Sequence, residues 1–217
     1  MFPPYPHYKF FRFLRRHIPP TGSGPIVDAP CGEGHITNWM ATAFPTKKVL
    51  GVDIDQKSIQ QADSYFHRNN LEFETKDIHS FLDTVGPIDH YLLVNSIFLL
   101  PAPQQVIAAI HRKLPPGGSL AVIIPNEDSA NFRNFQQLDP HQNTFVLGKK
   151  EAAKFFSVAG FRVEVVKGLC YTTIYGNRLL SRLGRLRGLY TYAGDFINWL
   201  IGKKPSYWGF LLRKVEG

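Results

Sequence analysis

The sequence predicts an α/β fold built on a doubly wound parallel sheet with helices on both faces. Three observations carry this. From residue 25 to 126, short apolar runs of strand length alternate with helical stretches that are apolar on one face. The run SLAVIIPN (119–126) is apolar and rich in branched side chains, as a strand covered on both faces must be. Polar residues (Asp28, Asp53, Asp77, Asn95) close four of the runs, where such sheets bind their ligands.

The elements follow in chain order. Pro25-Ile26-Val27 is the first strand, ending in Asp28, and His35 opens the helix after it. KVLGVDI (48–54) is the second strand, and QKSIQQADSYFHRN (56–69) a helix with Ile59, Ala62 and Phe66 on one face. LEFETKD (71–77) alternates as a half-buried strand does. IDHYLLVNS (88–96) is the fourth strand, and QQVIAAIHRKL (104–114) a helix with Val106, Ile107, Ile110 and Leu114 inward. PPGG (115–118) stops that helix, because proline cannot continue it and glycine takes the turn. GKKEAAKFFSVAG (148–160) is a helix, and FRVEVVKGL (161–169) and YWGFLLRKV (207–215) are strands.

The chain of 217 residues is long enough for one large domain with a small extension. Its two cysteines, Cys31 and Cys170, form no disulfide framework and no zinc spacing, so no metal is expected. The N-terminal stretch has no signal-like apolar core, and no run approaches the ~20 apolar residues of a membrane span. A cytoplasmic protein is expected. The net charge of +8 is uneven: residues 1–20 and 170–204 hold ten of the 25 lysines and arginines but one of the 17 acids. A nucleic-acid binder spreads such charge over a continuous face. Two local appendages are expected instead, and no nucleic-acid partner.

PIVDAPCGEGHIT (25–37) poses the functional question. Gly32 and Gly34 fit the first two glycines of a dinucleotide fingerprint, but Thr37 replaces the third. Glu33 and Asp28 set negative charge where a pyrophosphate would lie, so NAD is disfavoured. Two acids beside a glycine turn suit a ligand with local positive charge, an ammonium or a sulfonium. Nineteen residues after Gly34, Asp53 can accept hydrogen bonds from both hydroxyls of a ribose. Asp77, followed by Ile78, offers a carboxylate and an apolar side chain to an adenine. An aspartate at a strand end is commonly a turn former or helix cap. Three in register with the glycine turn describe a nucleoside site without phosphates.

In this pattern the chain resembles the class I S-adenosylmethionine-dependent methyltransferases of the small-molecule type, over residues 22 to 169 and the final strand. VDAPCGEG (27–34), VLGVDIDQKSIQQA (49–62) and ETKDIHSF (74–81) match the family's first three motifs. The resemblance implies a Rossmann-like, seven-stranded sheet, mostly parallel with the last strand antiparallel, plus a small helical cap. It implies S-adenosylmethionine as cofactor and S-adenosylhomocysteine as product. Asp28, Gly32 and Gly34 would hold the methionine part, and Ala29, Cys31, Glu33 and Ile54 would be further cofactor contacts. Asp53 would take the ribose, Asp77 and Ile78 the adenine, and Asn95 would border the methionine end and the acceptor.

Pro30-Cys31 is similar to the nucleophile pair of cytosine-5 methyltransferases, but that pair belongs after the fourth strand. Cys31 is read as a small cofactor-loop residue. Asn95-Ser96-Ile97-Phe98 keeps only two elements of the motif for amino-group methylation and fails it. His90 in a strand and His111 on a helix read as structural, while His35 lies near the cofactor loop. His141, in DPHQNTF (139–145), is the candidate general base. A sulfonium methyl is already activated, so proximity supplies most of the catalysis and a base is optional. Tyr8, Phe98, His141 and Phe145 are the candidate acceptor pocket.

Residues 1–21 are read as an N-terminal helical cap, with Tyr5 or Tyr8 closing over the cofactor. Residues 22–169 and 205–217 form the main domain, and 170–204 a basic, aromatic insert. In the insert Leu179, Leu183, Leu186 and Tyr190 recur at helical spacing behind Arg178, Arg182 and Arg185. It reads as a capping helix, as a lid over an apolar acceptor, as an interfacial helix on anionic lipid, or as a dock for an acidic carrier domain. Gly184 and Gly188 weaken a long continuous helix there. The expected function is methyl transfer to a small or lipid-like acceptor at oxygen. That acceptor is anionic, carrier-bound or membrane-associated, and the cytoplasmic protein would be peripheral at the membrane through residues 175–201. The rivals are an NAD-dependent oxidoreductase and a non-catalytic module that binds the same cofactor.

Overall fold

A computed structural model describes residues 7–129, 132, 147–171 and 186–215. Seven strands form one sheet: β1 (Ile26–Asp28), β2 (Val49–Asp53), β3 (Leu71–Thr75), β4 (His90–Val94), β5 (Ser119–Pro125), β6 (Phe161–Leu169) and β7 (Tyr207–Lys214). Their spatial order is β3-β2-β1-β4-β5-β7-β6. Neighbours among β1 to β5 pair in parallel, while β7 runs antiparallel to both β5 and β6. The sheet is thus the expected one, with its antiparallel strand set between β5 and β6.

Seven α-helices are described, most of them packed on the two faces: α1 (His7–His17), α2 (His35–Ala43), α3 (Gln56–Tyr65), α4 (Ile78–Thr84), α5 (Pro103–Lys113), α6 (Lys149–Val158) and α7 (Leu186–Leu200). One core layer joins Phe81 and Leu82 of α4, Val106, Ile107 and Ile110 of α5, and Phe156 of α6 to the sheet. The other joins Phe10, Phe13 and Leu14 of α1 and Ile36 and Met40 of α2 to its opposite face. Each of these side chains stabilises the fold by about 1.5–3 kcal/mol on burial. In α1 the buried residues fall at i, i+3 and i+4, and Arg15, Arg16 and His17 close its last turn, where a helix dipole favours cations.

Local chemistry sets the boundaries. Asp55 caps α3 by accepting from the N–H groups of Lys57 and Ser58. The helix ends at Tyr65 rather than 69, because Phe66 turns extended and its N–H bonds back to the Ala62 carbonyl. Phe66 packs on the second core layer from there instead of from a helical face. Sequence reasoning missed α4, though Asp77 caps it and Ile78, Phe81 and Leu82 are buried at helical spacing. Helix α7 runs through Gly188 without a break, so the expected weakness there is overridden; Leu179, Leu183 and Gly184 lie outside the described residues.

One ion pair secures the edge opposite the site. Lys47, 5% exposed, reaches Asp89 at 2.7 Å. It also donates to the carbonyls of Thr21 and Gly22, tying the segment before β1 to the start of β4.

Candidate cofactor site at the carboxyl ends of β1 and β4

Strand order reverses between β1 and β4, since β2 and β3 continue on one side and β4 and β5 on the other. The crevice beyond their carboxyl ends is where open α/β sheets bind ligands. A cleft of about 260 Å³ opens there. Its walls include Asp28, Cys31, Gly32, Glu33, Val94 and Asn95. The glycine turn, the first acid and the fourth-strand amide singled out in the sequence therefore meet in one cavity.

The turn is built so that backbone, not side chain, faces the cleft. Gly32 and Gly34 adopt φ of +53° and +71°, where side-chain-bearing residues are strained. A Cβ on Gly32 would meet nothing within 4 Å, so its face is open, whereas one on Gly34 would lie 2.5 Å from the Phe73 ring. Gly32 donates its N–H to Asp53 Oδ2 at 2.7 Å, and Cys31 donates its N–H to the Val52 carbonyl at 2.9 Å. The acid read as the ribose acceptor thus also fastens the turn to the end of β2.

Asp28 is 1% exposed, and its Oδ2 accepts the hydroxyl of Thr37 at 2.7 Å. Burial pushes its carboxyl up to about 7, opposed by the Thr37 bond and assisted by the Asp53 charge. Thr37, which departs from the dinucleotide fingerprint, is the partner that keeps Asp28 satisfied. Burial, with the charges of Asp28 and Asp53, drives the Cys31 thiol far up. It stays protonated, the opposite of a thiolate nucleophile.

Two buried polar atoms in the cleft have no hydrogen-bond partner among the described residues: Asn95 Oδ1 and His7 Nδ1. Asn95 takes φ +55°, a conformation that asparagine tolerates better than most and that recurs at ligand sites. Orphaned buried acceptors are costly and call for a partner. A raised carboxylate, an exposed Glu33 and an unpaired amide oxygen fit an ammonium-bearing ligand, as S-adenosylmethionine is. They do not fit a pyrophosphate.

The remaining predicted residues are placed less uniformly. Ala29 is buried beneath the turn. Asp77 caps α4, accepting from His79 and Ser80 N–H on Oδ1 alone. Ile78 is 7% exposed and packed in the core, whereas Ile54, beside Asp53, is 70% exposed. Tyr8 and Phe98 are half-buried outside the cleft wall, and His141 and Phe145 lie outside the described residues, as does Tyr5. His35 lines the cleft, with Nε2 3.5 Å from Glu33 Oε2. His90 bonds Ser119 and His111 bonds the Gly160 carbonyl, so both hold structure.

Sequence reasoning missed His7 and Phe10, which close the cleft from α1. Their signal was the three-residue spacing on one helical face, which turns Tyr8 elsewhere by about 100°. The rings of His7 and His35 stack at 6.3 Å. Burial and the neighbouring His35 lower His7 below the usual histidine range. Among the described residues no three His, Cys, Asp or Glu side chains are grouped to hold a metal ion.

Comparison with known proteins is consistent with this geometry. A family model described as a methyltransferase domain matches residues 21–174. A trans-aconitate 2-methyltransferase of Deinococcus radiodurans is 33% identical over 123 residues, covering 56% of this chain and 46% of the relative. One of Variovorax paradoxus is 28% identical over 113 residues, 52% of this chain and 43% of its own. The matches thus span less than half of each relative's length. A Mesorhizobium loti S-adenosylmethionine-dependent methyltransferase superposes with a TM-score of 0.65 at 16% identity, covering 96% of this chain and 97% of that one. The plantazolicin methyltransferase BpumL, solved with a pentazolic desmethylPZN analog and SAH, gives 0.67 at 14% identity, covering 98% and 86%. At these identities the structural likeness speaks for the fold.

Proposed function

Because the chain belongs to the class I S-adenosylmethionine-dependent methyltransferases, we propose that it moves the methyl group of that cofactor to an oxygen of a small, anionic or lipid-like acceptor. The observation that carries this reading is the acid-lined cleft in which Asp28 and Asn95 present acceptors to a cation. When bound, the cofactor supplies a sulfonium methyl, already activated for displacement.

The chain's own residues bind, orient and exclude. Asp28 and Asn95 take the ammonium end, Gly32 lets backbone approach, and Asp53 holds the ribose hydroxyls while anchoring the turn. Ile54 supplies the apolar surface for the adenine, with Asp77 beside it. His7 and Phe10 shut the cleft from above and keep water out. Catalysis then rests on placing the acceptor oxygen in line at about 3 Å. A carboxylate acceptor has no proton to lose; for a hydroxyl acceptor His141 takes it. The names of the trans-aconitate relatives support an acid as acceptor.

Residues 22–169 and 205–217 are the catalytic unit in this reading, and 1–21 and 170–204 the appendages that select and position the acceptor. The enzyme works in the cytoplasm on an acceptor that is free, carrier-bound or held at a membrane. Among the described residues no helix is long and apolar enough to cross a membrane.

The test is parallel calorimetric titration with S-adenosylhomocysteine, NAD⁺ and NADH, followed by transfer of a labelled methyl to candidate acids. Micromolar binding of S-adenosylhomocysteine alone and a labelled ester support the reading. Binding of a nicotinamide would overturn it. Cofactor binding without transfer to any acceptor would favour a non-catalytic module.

A further inference from the structure

A second cavity, about 530 Å³, lies on the other side of α1. The carboxyl end of β6, from Val166 to Leu169, lines it with Cys170 just beyond, as do α1 and the end of α7. Five cations reach it: Lys9, Arg12, Arg16, Lys149 and Lys167. Asp195 is the single acid in the lining, and it is engaged, bonding Lys9 at 2.7 Å and accepting the Tyr171 N–H. Among the described residues no carboxylate comes within 4.0 Å of Arg12, Arg16 or Lys167. His17, in the same wall, has a buried Nε2 without a hydrogen-bond partner among the described residues. Cations gathered this closely repel one another, and an anion between them converts that repulsion into attraction.

The rim of the cavity is apolar. Phe196 and Trp199 line it and yet are 59% and 55% exposed. Ile197, Leu200 and Ile201 continue the surface at 56%, 61% and 65% exposure. At 100° per residue these five side chains sweep about 200° of the helix end. That breadth exceeds what a single pocket ligand would cover. Aromatic and aliphatic side chains crowning a basic cavity match the interfacial zone of a bilayer, where headgroup phosphates lie next to the acyl boundary.

We propose that this face docks on a membrane surface bearing anionic phospholipid. A headgroup phosphate sits between Arg12, Arg16 and Lys167, and the end of α7 enters the acyl boundary through Phe196, Trp199 and Leu200. The inference rests on the reading of a membrane-held acceptor, and its test does not run through methyl transfer. Lys9 and Arg12 share a helix with His7 and Phe10, so the docked face adjoins the wall of the cofactor cleft.

The test is co-sedimentation of the full chain with phosphatidylcholine vesicles, with and without phosphatidylglycerol. Binding is expected only with phosphatidylglycerol and is expected to fall steeply with salt. Arg12→Gln with Arg16→Gln should weaken it ~30-fold, at about one kcal/mol per basic residue near the surface. Trp199→Ser should weaken binding at fixed charge, and Lys167→Gln serves if the double variant fails to fold. S-adenosylhomocysteine affinity should stay unchanged in every variant. Equal sedimentation with neutral vesicles, or unaltered binding by the arginine and tryptophan variants, would overturn the proposal. So would binding of octyl phosphate in solution without vesicle binding, which would make the cavity a site for a free amphiphile. Vesicle binding by a protein that ignores S-adenosylhomocysteine would sink the methyl-transfer reading and leave this one standing.

Discussion

Thr37, on the first turns of α2, donates its hydroxyl to Asp28 at the end of β1 across 2.7 Å. This bond is what makes a fully buried acid tolerable, and it only partly offsets the burial that holds Asp28 up at about 7 against its ordinary 3.8. Two pH dependences follow. An ammonium-bearing ligand selects the ionised form, so S-adenosylhomocysteine affinity should rise with pH up to about 7, approaching tenfold per unit, and then level off. For the free protein the raised value has the opposite sense. The folded form keeps a proton that the unfolded chain loses above 3.8, so this stability is full below 3.8 and is lost as pH rises through about 7. Asp28→Asn should abolish both slopes, read by calorimetry and by urea unfolding across that range.

Asp53 accepts the Gly32 N–H on Oδ2 at 2.7 Å and the Asp55 N–H on Oδ1 at 3.0 Å, and in the proposed site it also takes the ribose. Asp53→Ala should weaken S-adenosylhomocysteine binding by about 1–3 kcal/mol, the cost of unpaired polar groups. Unchanged affinity would remove Asp53 from the site.

The two turn glycines should separate stability from binding. Gly34→Ala drives a Cβ to 2.5 Å from the Phe73 ring at φ +71°, and should lower the unfolding free energy by more than the ~1–2 kcal/mol of the backbone strain alone. Gly32→Ala meets open space, so it should cost only about that strain yet reduce cofactor affinity, since its new methyl faces the cleft. Melting temperature and Kd measured side by side distinguish the two.

Lys47 and Asp89 form a nearly buried pair at 2.7 Å. Asp89→Ala strands the lysine charge and should destabilise by about 3–5 kcal/mol in urea unfolding. Replacing both partners, as Lys47→Met with Asp89→Ala, should recover part of that loss.

The strands were legible because their apolar runs are bounded by glycine, proline or acids, and β6 was read to its end residues. Helix α4 was not, because at seven residues it offers a single apolar cluster in place of a repeating stripe. In the site, Asp28 and Asn95 could be placed because they close strands whose neighbours the alternation already implied, and Gly32 because it lies in the turn that follows the first of them. Ile54 and Ile78 could not be told apart as the exposed one, since each follows an aspartate at a strand end. His7 and Phe10 escaped notice because their three-residue spacing marks a shared helical face but not what that face meets, which depends on how α1 crosses the sheet.

The position of β7 bears on how the protein is made. The strand wedged between β5 and β6, paired along seven residues on one side and eight on the other, is the last of the seven strands to leave the ribosome. Until it emerges, β5 has one neighbour and β6 has none, both with open edges that invite pairing with other chains. The nascent protein can assemble β1 to β5 early, but its sheet closes only after synthesis of residues 207–214. A chain stopped before that point would carry a nearly whole cofactor cleft on an incomplete sheet.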